Sequence, residues 1–223
     1  CSVLIEPNSY LYTYAITRDF GFAPNPFHGL CTLATCKPNI RKSAKVGDWI
    51  MGIGGSTLRS VKRKCLLLMK VSEKVSFQDY WENERFSLKK PLRNGSRVQM
   101  LGDNIYHKDE NSGWIQEDSH HSNPDGTPHP GNLNRDTGKT DQVLVSDYFL
   151  YFGAQAQPVD LDSIGYRRIR DYRKIDLVGS EESRNLIASM FKKHRSSINM
   201  VLADPCQFMD SHQRVDQSTG KIV

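Results

Sequence analysis

The chain has 223 residues, 38% of them apolar, and a formal net charge of +5. That length supports one globular domain, or one with a smaller appended unit, and buries enough core to need no staple. The charge is a mild basic excess that permits a polyanionic partner without demanding one, and five irregularly spaced cysteines exclude a regular disulfide framework and point to a reducing cytoplasm.

The chain opens on "SYLYTYAIT" at 9–17, whose alternating Tyr, Thr and Ile predict a strand. A long loop over 18–36 follows, with a helical turn expected around "LCTLATC", and Lys37-Pro38 opens a short helix. "KVGDWIMGIGG" at 45–55 reads as a turn, a strand and a glycine-rich exit. "KRKCLLLMKVSEKV" at 62–75 predicts one longer strand buried on both faces. Its apolar run is broken by Lys70, far short of the roughly 18 residues of a membrane span. No charged segment followed by an apolar one marks a signal peptide.

Ser76 caps a short helix over 76–86, with Asp79 three residues on. Residues 96–107 read as a strand interrupted at Gly102-Asp103, and 108–141 as a long polar loop. Strand character returns over 142–159, broken at Gly153. A basic segment spans 163–174. Residues 179–194 form a helix capped by Ser180, with Leu186, Ile187, Met190 and Phe191 on one face. The polar last twenty residues are expected to fray. Strands first and a helix late predict an α+β domain around a curved antiparallel sheet or small β-barrel. Residues 1–160 would form the main body, with the basic segment, C-terminal helix and polar tail of 161–223 packed on the same domain.

Four constellations carry chemistry. The loop "RDFGFAPNPFHG" sets Phe20, Phe22 and Phe27 where polar residues are usual. With Trp49 these rings could wall a site for a flat base, with Asp19 and Asn25 reading its edge. They also fit a plug in a barrel end. "GIGGST", with Gly54, permits close backbone approach but is neither a dinucleotide fingerprint nor a phosphate loop, and also fits a bulged strand end.

Among the acids and histidines, Asp103, Asn104 and His107 of "GDNIYH" could share one cavity, and Asp118, His120, His121, His129 and Asp136 sit among turn residues. No zinc-hydrolase or deaminase pattern occurs, and a zinc site at Cys31, Cys36 and His28 lacks a fourth ligand, so no metal or cofactor is expected. The basic groups Arg18, Arg59, Lys62, Arg63, Arg167, Arg168 and Arg170 could grip phosphates, or could be solvated faces paired with local acids.

Taken together, "YAITRDFGFAPNPFHG", "CKPNIRK", "VGDWIMGIGG", "FQDYW", "GDNIYH", "DSHHS" and "VLVSDYFLYFG" resemble the second nucleotide-modification-associated domain family, over about residues 9–155. "KVGDWIMGIGG" and "LLLMKVSEKVSFQDYWENERF" resemble PUA-like and EVE-type domains. The first resemblance implies a bacterial or phage DNA-modification setting and contact with modified nucleotides. The second implies a flipped base held in an aromatic cage.

The leading expectation is therefore recognition of a modified base by Asp19, Phe20, Phe22, Asn25, Phe27, Trp49, Gly54, Asp103 and Asn104. The partner would be nucleic acid, DNA before RNA, or a free modified nucleotide, with no membrane. The alternative is a base-modifying hydrolase or transferase using Asp19, Asp103, His107 and His120. A third is a partner-binding module whose phenylalanine loop docks another protein.

Overall fold

The computed structural model describes residues 3–167 and 170–223; Arg168 lies outside the described residues. The elements in chain order are β1 (Tyr10–Ile16), β2 (Cys31–Leu33), α1 (Pro38–Ser43), β3 (Trp49–Gly54), β4 (Lys64–Lys70), β5 (Glu73–Ser76), α2 (Phe77–Glu82), α3 (Arg97–Met100), β6 (Tyr106–Asp109), β7 (Gly113–Gln116), α4 (Pro130–Thr137), β8 (Gln142–Ser146), β9 (Phe149–Tyr151), β10 (Gln157–Pro158), β11 (Arg173–Asp176), α5 (Glu181–Lys193), β12 (Val215–Asp216) and β13 (Lys221–Ile222).

The central sheet runs β10-β4-β3-β1-β11, with β9 sharing the β4 edge. β1 and β3 are parallel, Tyr12 opposite Ile50, and the other pairs are antiparallel. The sheet is thus mixed rather than purely antiparallel. Its order ends at β10 and β11 without joining them, so it is an open sheet and not a closed barrel. A smaller sheet, β2-β8-β5, and two hairpins, β6-β7 and β12-β13, complete the α+β architecture.

Strand alternation explains the layers. Leu11, Trp49, Met51 and Ile53 point to one face, where Ile187, Met190 and Phe191 of α5 cover them. Tyr12, Tyr14, Ile16, Ile50, Leu67 and Met69 point to the other, against Cys31, Leu33 and Leu144 of the small sheet. A sheet covered on both faces requires uninterrupted apolar strands, which is why "CLLLM" lacks alternation. Each large side chain buried here contributes about 1.5–3 kcal/mol. The far face of the small sheet, Val143 and Val145, meets Phe20, Phe22, Phe77 and Tyr106 in a third cluster.

Several local expectations are corrected. Residues 31–33 are a strand pairing with β8 instead of a helical turn. The predicted long strand over 62–75 is two strands in different sheets, because the chain turns at Val71-Ser72. Residues 97–100 are helical: Ser96 and Gln99 form a reciprocal capping box that outweighs the apparent alternation. The 108–141 stretch holds a hairpin and α4. The tail returns as β12-β13 and is held by Val215 N–H on the His120 carbonyl, 3.1 Å.

A thiol, imidazole and carboxylate in one cavity

Between the end of β1, the loop after it, the turn before α1, and the β12-β13 hairpin lies a cavity of about 460 Å³. Arg18, Phe20, Phe22, Cys36, His121 and Gln217 are among its lining residues. A larger groove of about 730 Å³, near Leu4, Val46 and Tyr148, has no cysteine or histidine in its wall. The cysteine and histidine side chains line the smaller cavity.

Cys36 sits where the chain leaves the small sheet for α1. Its φ is 58° and that of Lys37 is 38°. Two successive non-glycine residues in the left-handed region cost roughly 1–3 kcal/mol each, and such strain is concentrated at functional sites. Asp136 holds the turn in place: its Oδ1 accepts the Cys36 N–H at 2.8 Å. Arg41, fully buried, donates to the Cys36 carbonyl at 2.8 Å and to the Asp136 carbonyl at 2.6 Å.

The Cys36 sulfur lies 3.8 Å from His121 Nε2, and His121 Nδ1 lies 2.7 Å from Asp136 Oδ2. Tyr106 donates its hydroxyl to the same carboxylate oxygen at 2.7 Å and accepts from Gln116 at 2.9 Å. Burial disfavours charge on His121, but Asp136 and the Cys36 sulfur outweigh it and push the imidazole up to about 10. Burial also opposes the Asp136 charge, and His121 and Arg41 overcome it, leaving the carboxyl below its ordinary range. A cysteine sulfur, a ring beside it and a carboxylate fixing that ring share the arrangement of thiol nucleophile sites. The Gln217 side-chain carboxamide lies against the sulfur and 2.6 Å from His121 Nε2, where a charged ring donates to the carboxamide oxygen.

Of the residues expected from sequence, Phe20, Phe22, His120 and Arg18 line this cavity. Phe22 packs edge-on to His121 at 4.7 Å, and Phe20 lies 4.7 Å from His120. His120 donates from Nδ1 to the Gln213 carbonyl at 2.6 Å; burial, then the neighbouring His121, hold it well below the usual imidazole range, so it is neutral.

The others stand elsewhere. Asp19 is buried against the Tyr151 hydroxyl and the Cys206 N–H (2.9 Å), and burial raises its carboxyl. Asn25 accepts from Lys89 Nζ at 2.8 Å and donates to the Leu101 carbonyl at 2.8 Å. Asp103 accepts from Thr32 and Tyr80 at 2.6 and 2.7 Å; burial lifts it to about 6. Asn104 ties to the Tyr80 carbonyl at 2.8 Å.

Phe27 packs on Phe208 at 5.8 Å. Trp49 lies under α5 against Phe191, in a different core cluster from Phe20. A Cβ at Gly54 would stand 2.0 Å from the Val61 carbonyl oxygen, which accounts for that glycine by packing. His107 pairs with Glu117 at 2.6 Å and stacks on Trp81. Arg59, Lys62, Arg63, Arg167 and Arg170 are exposed, Arg63 within 3.4 Å of Asp162. Cys31, Cys36 and His28 form no metal-binding group: among the described residues no three ligand-type side chains converge on one point.

Sequence reasoning named Cys36 only as a zinc candidate and His121 and Asp136 only as residues among turns; it did not join the three as a unit, and it missed Gln217. The only local signal was a cysteine directly before "KPNIRK". Its partners are 85 and 100 residues away.

The molecule is thus an α+β domain with a thiol–imidazole–carboxylate group in a half-closed, ring-walled cavity. The model of the family described as nucleotide modification associated domain 2 matches residues 8–212, and the chain belongs to that family. The domain is accordingly nucleotide-modification associated. No curated protein and no solved structure matches the chain. No helix among the described residues is long and apolar enough to cross a membrane.

Proposed function

We propose that the protein is a nucleotide- or base-modifying enzyme whose nucleophile is Cys36. The observation that carries this reading is the convergence of Cys36, His121 and Asp136 at 3.8 and 2.7 Å in one cavity. The charged imidazole is the partner a thiolate needs, and Asp136 sets its orientation. Phe20 and Phe22 supply an apolar wall for a flat ring, and Arg18 a cation for its phosphate. A cavity of about 460 Å³ suits a single nucleotide, free or flipped from a strand. The family's association with nucleotide modification gives the chemistry its context.

Recognition of a modified base without chemistry is the second reading, favoured by the two phenylalanines in the same wall. In that case the exposed Arg59, Lys62, Arg63, Arg167 and Arg170 would hold a nucleic-acid backbone. Mass spectrometry of nucleotides and of DNA carrying modified bases, incubated with the protein and with Cys36→Ser, separates the two. A substrate mass change that requires Cys36 is expected. Equal binding by both proteins with no mass change would overturn the enzyme reading in favour of recognition.

A further inference from the structure

The charge of the cavity wall is one-sided. Arg18, Lys37, Arg135 and the charged His121 line it, and no Asp or Glu does. Lys37 is already paired, its Nζ 3.3 Å from Asp171 Oδ1. Arg18 and Arg135 form no ion pair with a carboxylate among the described residues. The larger groove near Leu4 differs: Glu6 and Asp147 stand in its wall, and Glu6 pairs with Lys70 at 3.0 Å. Two guanidiniums without acidic partners, beside a charged ring, give the smaller cavity a positive potential that selects an anion.

Both guanidiniums also meet one piece of backbone. Residues 217–220 join β12 to β13, where Asp216 stands opposite Lys221. Arg135 donates to the Gln217 carbonyl at 3.4 Å, and a Cβ added at Gly220 would stand 3.9 Å from Arg18 Nη2. The two cations therefore bracket a single four-residue turn. That turn is pinned by the fully buried Asn132, which accepts from the Gln217 N–H at 2.9 Å and donates to the Val215 and His121 carbonyls at 2.7 and 2.8 Å. One asparagine thus sets the cation pair against the imidazole.

Tyr14 marks the inner end of the same cavity. It is 2% exposed, it is among the lining residues, and its hydroxyl has no hydrogen-bond partner. Burial holds the phenol well above its usual range, so it stays a donor. A buried hydroxyl left unpaired is costly, and a ligand's acceptor would satisfy it. Exposure rises along the wall from buried Tyr14 through half-buried Cys36 to exposed Arg135. The cations are at the mouth; the thiol and the unpaired hydroxyl are further in.

We infer that the cavity takes a free nucleoside 5′-monophosphate, its phosphate between Arg18 and Arg135 at the hairpin turn and its base inward towards Cys36 and Tyr14. The inference rests on the cavity being a nucleotide site and does not require Cys36 to react. A terminal phosphate carries about −1.5 to −2 charges near pH 7 and offers three acceptor oxygens, enough for two guanidiniums. A phosphate inside a strand carries a single charge. The match of two cations to one doubly charged group favours the free nucleotide over a base flipped out of DNA. With the phosphate at the mouth, Phe20 and Phe22 flank the base rather than the sugar-phosphate end.

Calorimetry on the full chain tests this with the common ribo- and deoxynucleoside 5′-monophosphates, the matching nucleosides, and a short deoxyoligonucleotide with hydroxyls at both ends. At least one monophosphate is expected to bind more than about thirtyfold tighter than its nucleoside. Arg18→Gln and Arg135→Gln are each expected to weaken that monophosphate roughly tenfold and the nucleoside less than about twofold, with circular dichroism unchanged. A nucleoside that binds as tightly as its monophosphate, or arginine variants that bind the monophosphate normally, overturns the inference. So does an oligonucleotide that binds tighter than every monophosphate with the same arginine dependence, which assigns the site to a flipped base. Arginine-dependent monophosphate binding without any Cys36-dependent mass change upholds this inference and overturns the enzyme reading. A Cys36-dependent mass change on DNA without monophosphate binding does the reverse.

Discussion

His121 and Asp136 form a buried pair, Nδ1 to Oδ2 at 2.7 Å, 15 residues apart in the chain and carried by a turn and by α4. The pair does two jobs. It fixes which ring nitrogen faces the cavity, and it keeps the ring able to hold a positive charge where burial alone would neutralise it. Asp136→Asn removes the charge but keeps the shape. The expected outcome is loss of the raised imidazole titration, seen by histidine NMR, and a fall in Cys36-dependent turnover of about 10²-fold or more.

The same pair predicts a pH dependence of stability. His121 has its folded value raised to about 10 from 6.5. Its contribution is fully present below about pH 6.5 and is lost as pH rises through about 10. Lys89 works the other way: burial lowers it to about 8, so its penalty is present below that pH and is relieved as pH rises from about 8 to 10.5. The stability difference between the protein and His121→Gln, measured by urea unfolding, should be flat below pH 6.5 and shrink above it. A difference that grows with pH would contradict the assignment.

Asn132→Leu should loosen the hairpin. Three hydrogen bonds disappear, and the Val215 and His121 carbonyls lose a buried donor. The expected cost is about 1–3 kcal/mol per group left unsatisfied. Hydrogen exchange should accelerate at the amides of Val215 and Gln217 before it does at β1 or β3.

Trp49 and Phe22 should part company in function. Trp49 packs beneath α5 and Phe22 lines the cavity beside His121. Trp49→Phe keeps an aromatic ring and deletes an indole N–H that has no partner, so nucleotide affinity by calorimetry should change by less than about twofold, with only a modest loss of stability. Phe22→Leu should weaken nucleotide binding severalfold, because a base loses part of its stacking face.

Much of the scaffold was legible because its signals are local. β1 is an unbroken run of Tyr, Leu, Thr, Ala and Ile, Ser180 caps α5, and Leu186, Ile187, Met190 and Phe191 fall on one helical face. The "S-x-x-Q" capping box at Ser96 was equally local, yet the alternation of Val98 and Met100 obscured it. β2 is only three residues long, too short for any period to register. Trp49 was misplaced relative to the loop because its face is decided by pairing with Leu11 across β1, a non-local fact. The candidate site was the least legible part. Asp19, Asn25 and Asp103 look like edge readers in sequence, whereas here they accept from buried donors inside the fold, Asn25 from Lys89. Cys36, His121 and Asp136 become one unit only when α4 docks on the turn before α1.

The central claim is that Cys36 is an activated thiol. Its most direct measurement is the rate of iodoacetamide alkylation at Cys36, followed by peptide mass mapping from pH 5 to 9, for the wild-type protein and His121→Ala. The account predicts that Cys36 reacts at pH 6 more than about tenfold faster than a simple free thiol and that His121→Ala abolishes this advantage. Alkylation at Cys36 that tracks an ordinary thiol at every pH, unchanged by His121→Ala, would contradict it.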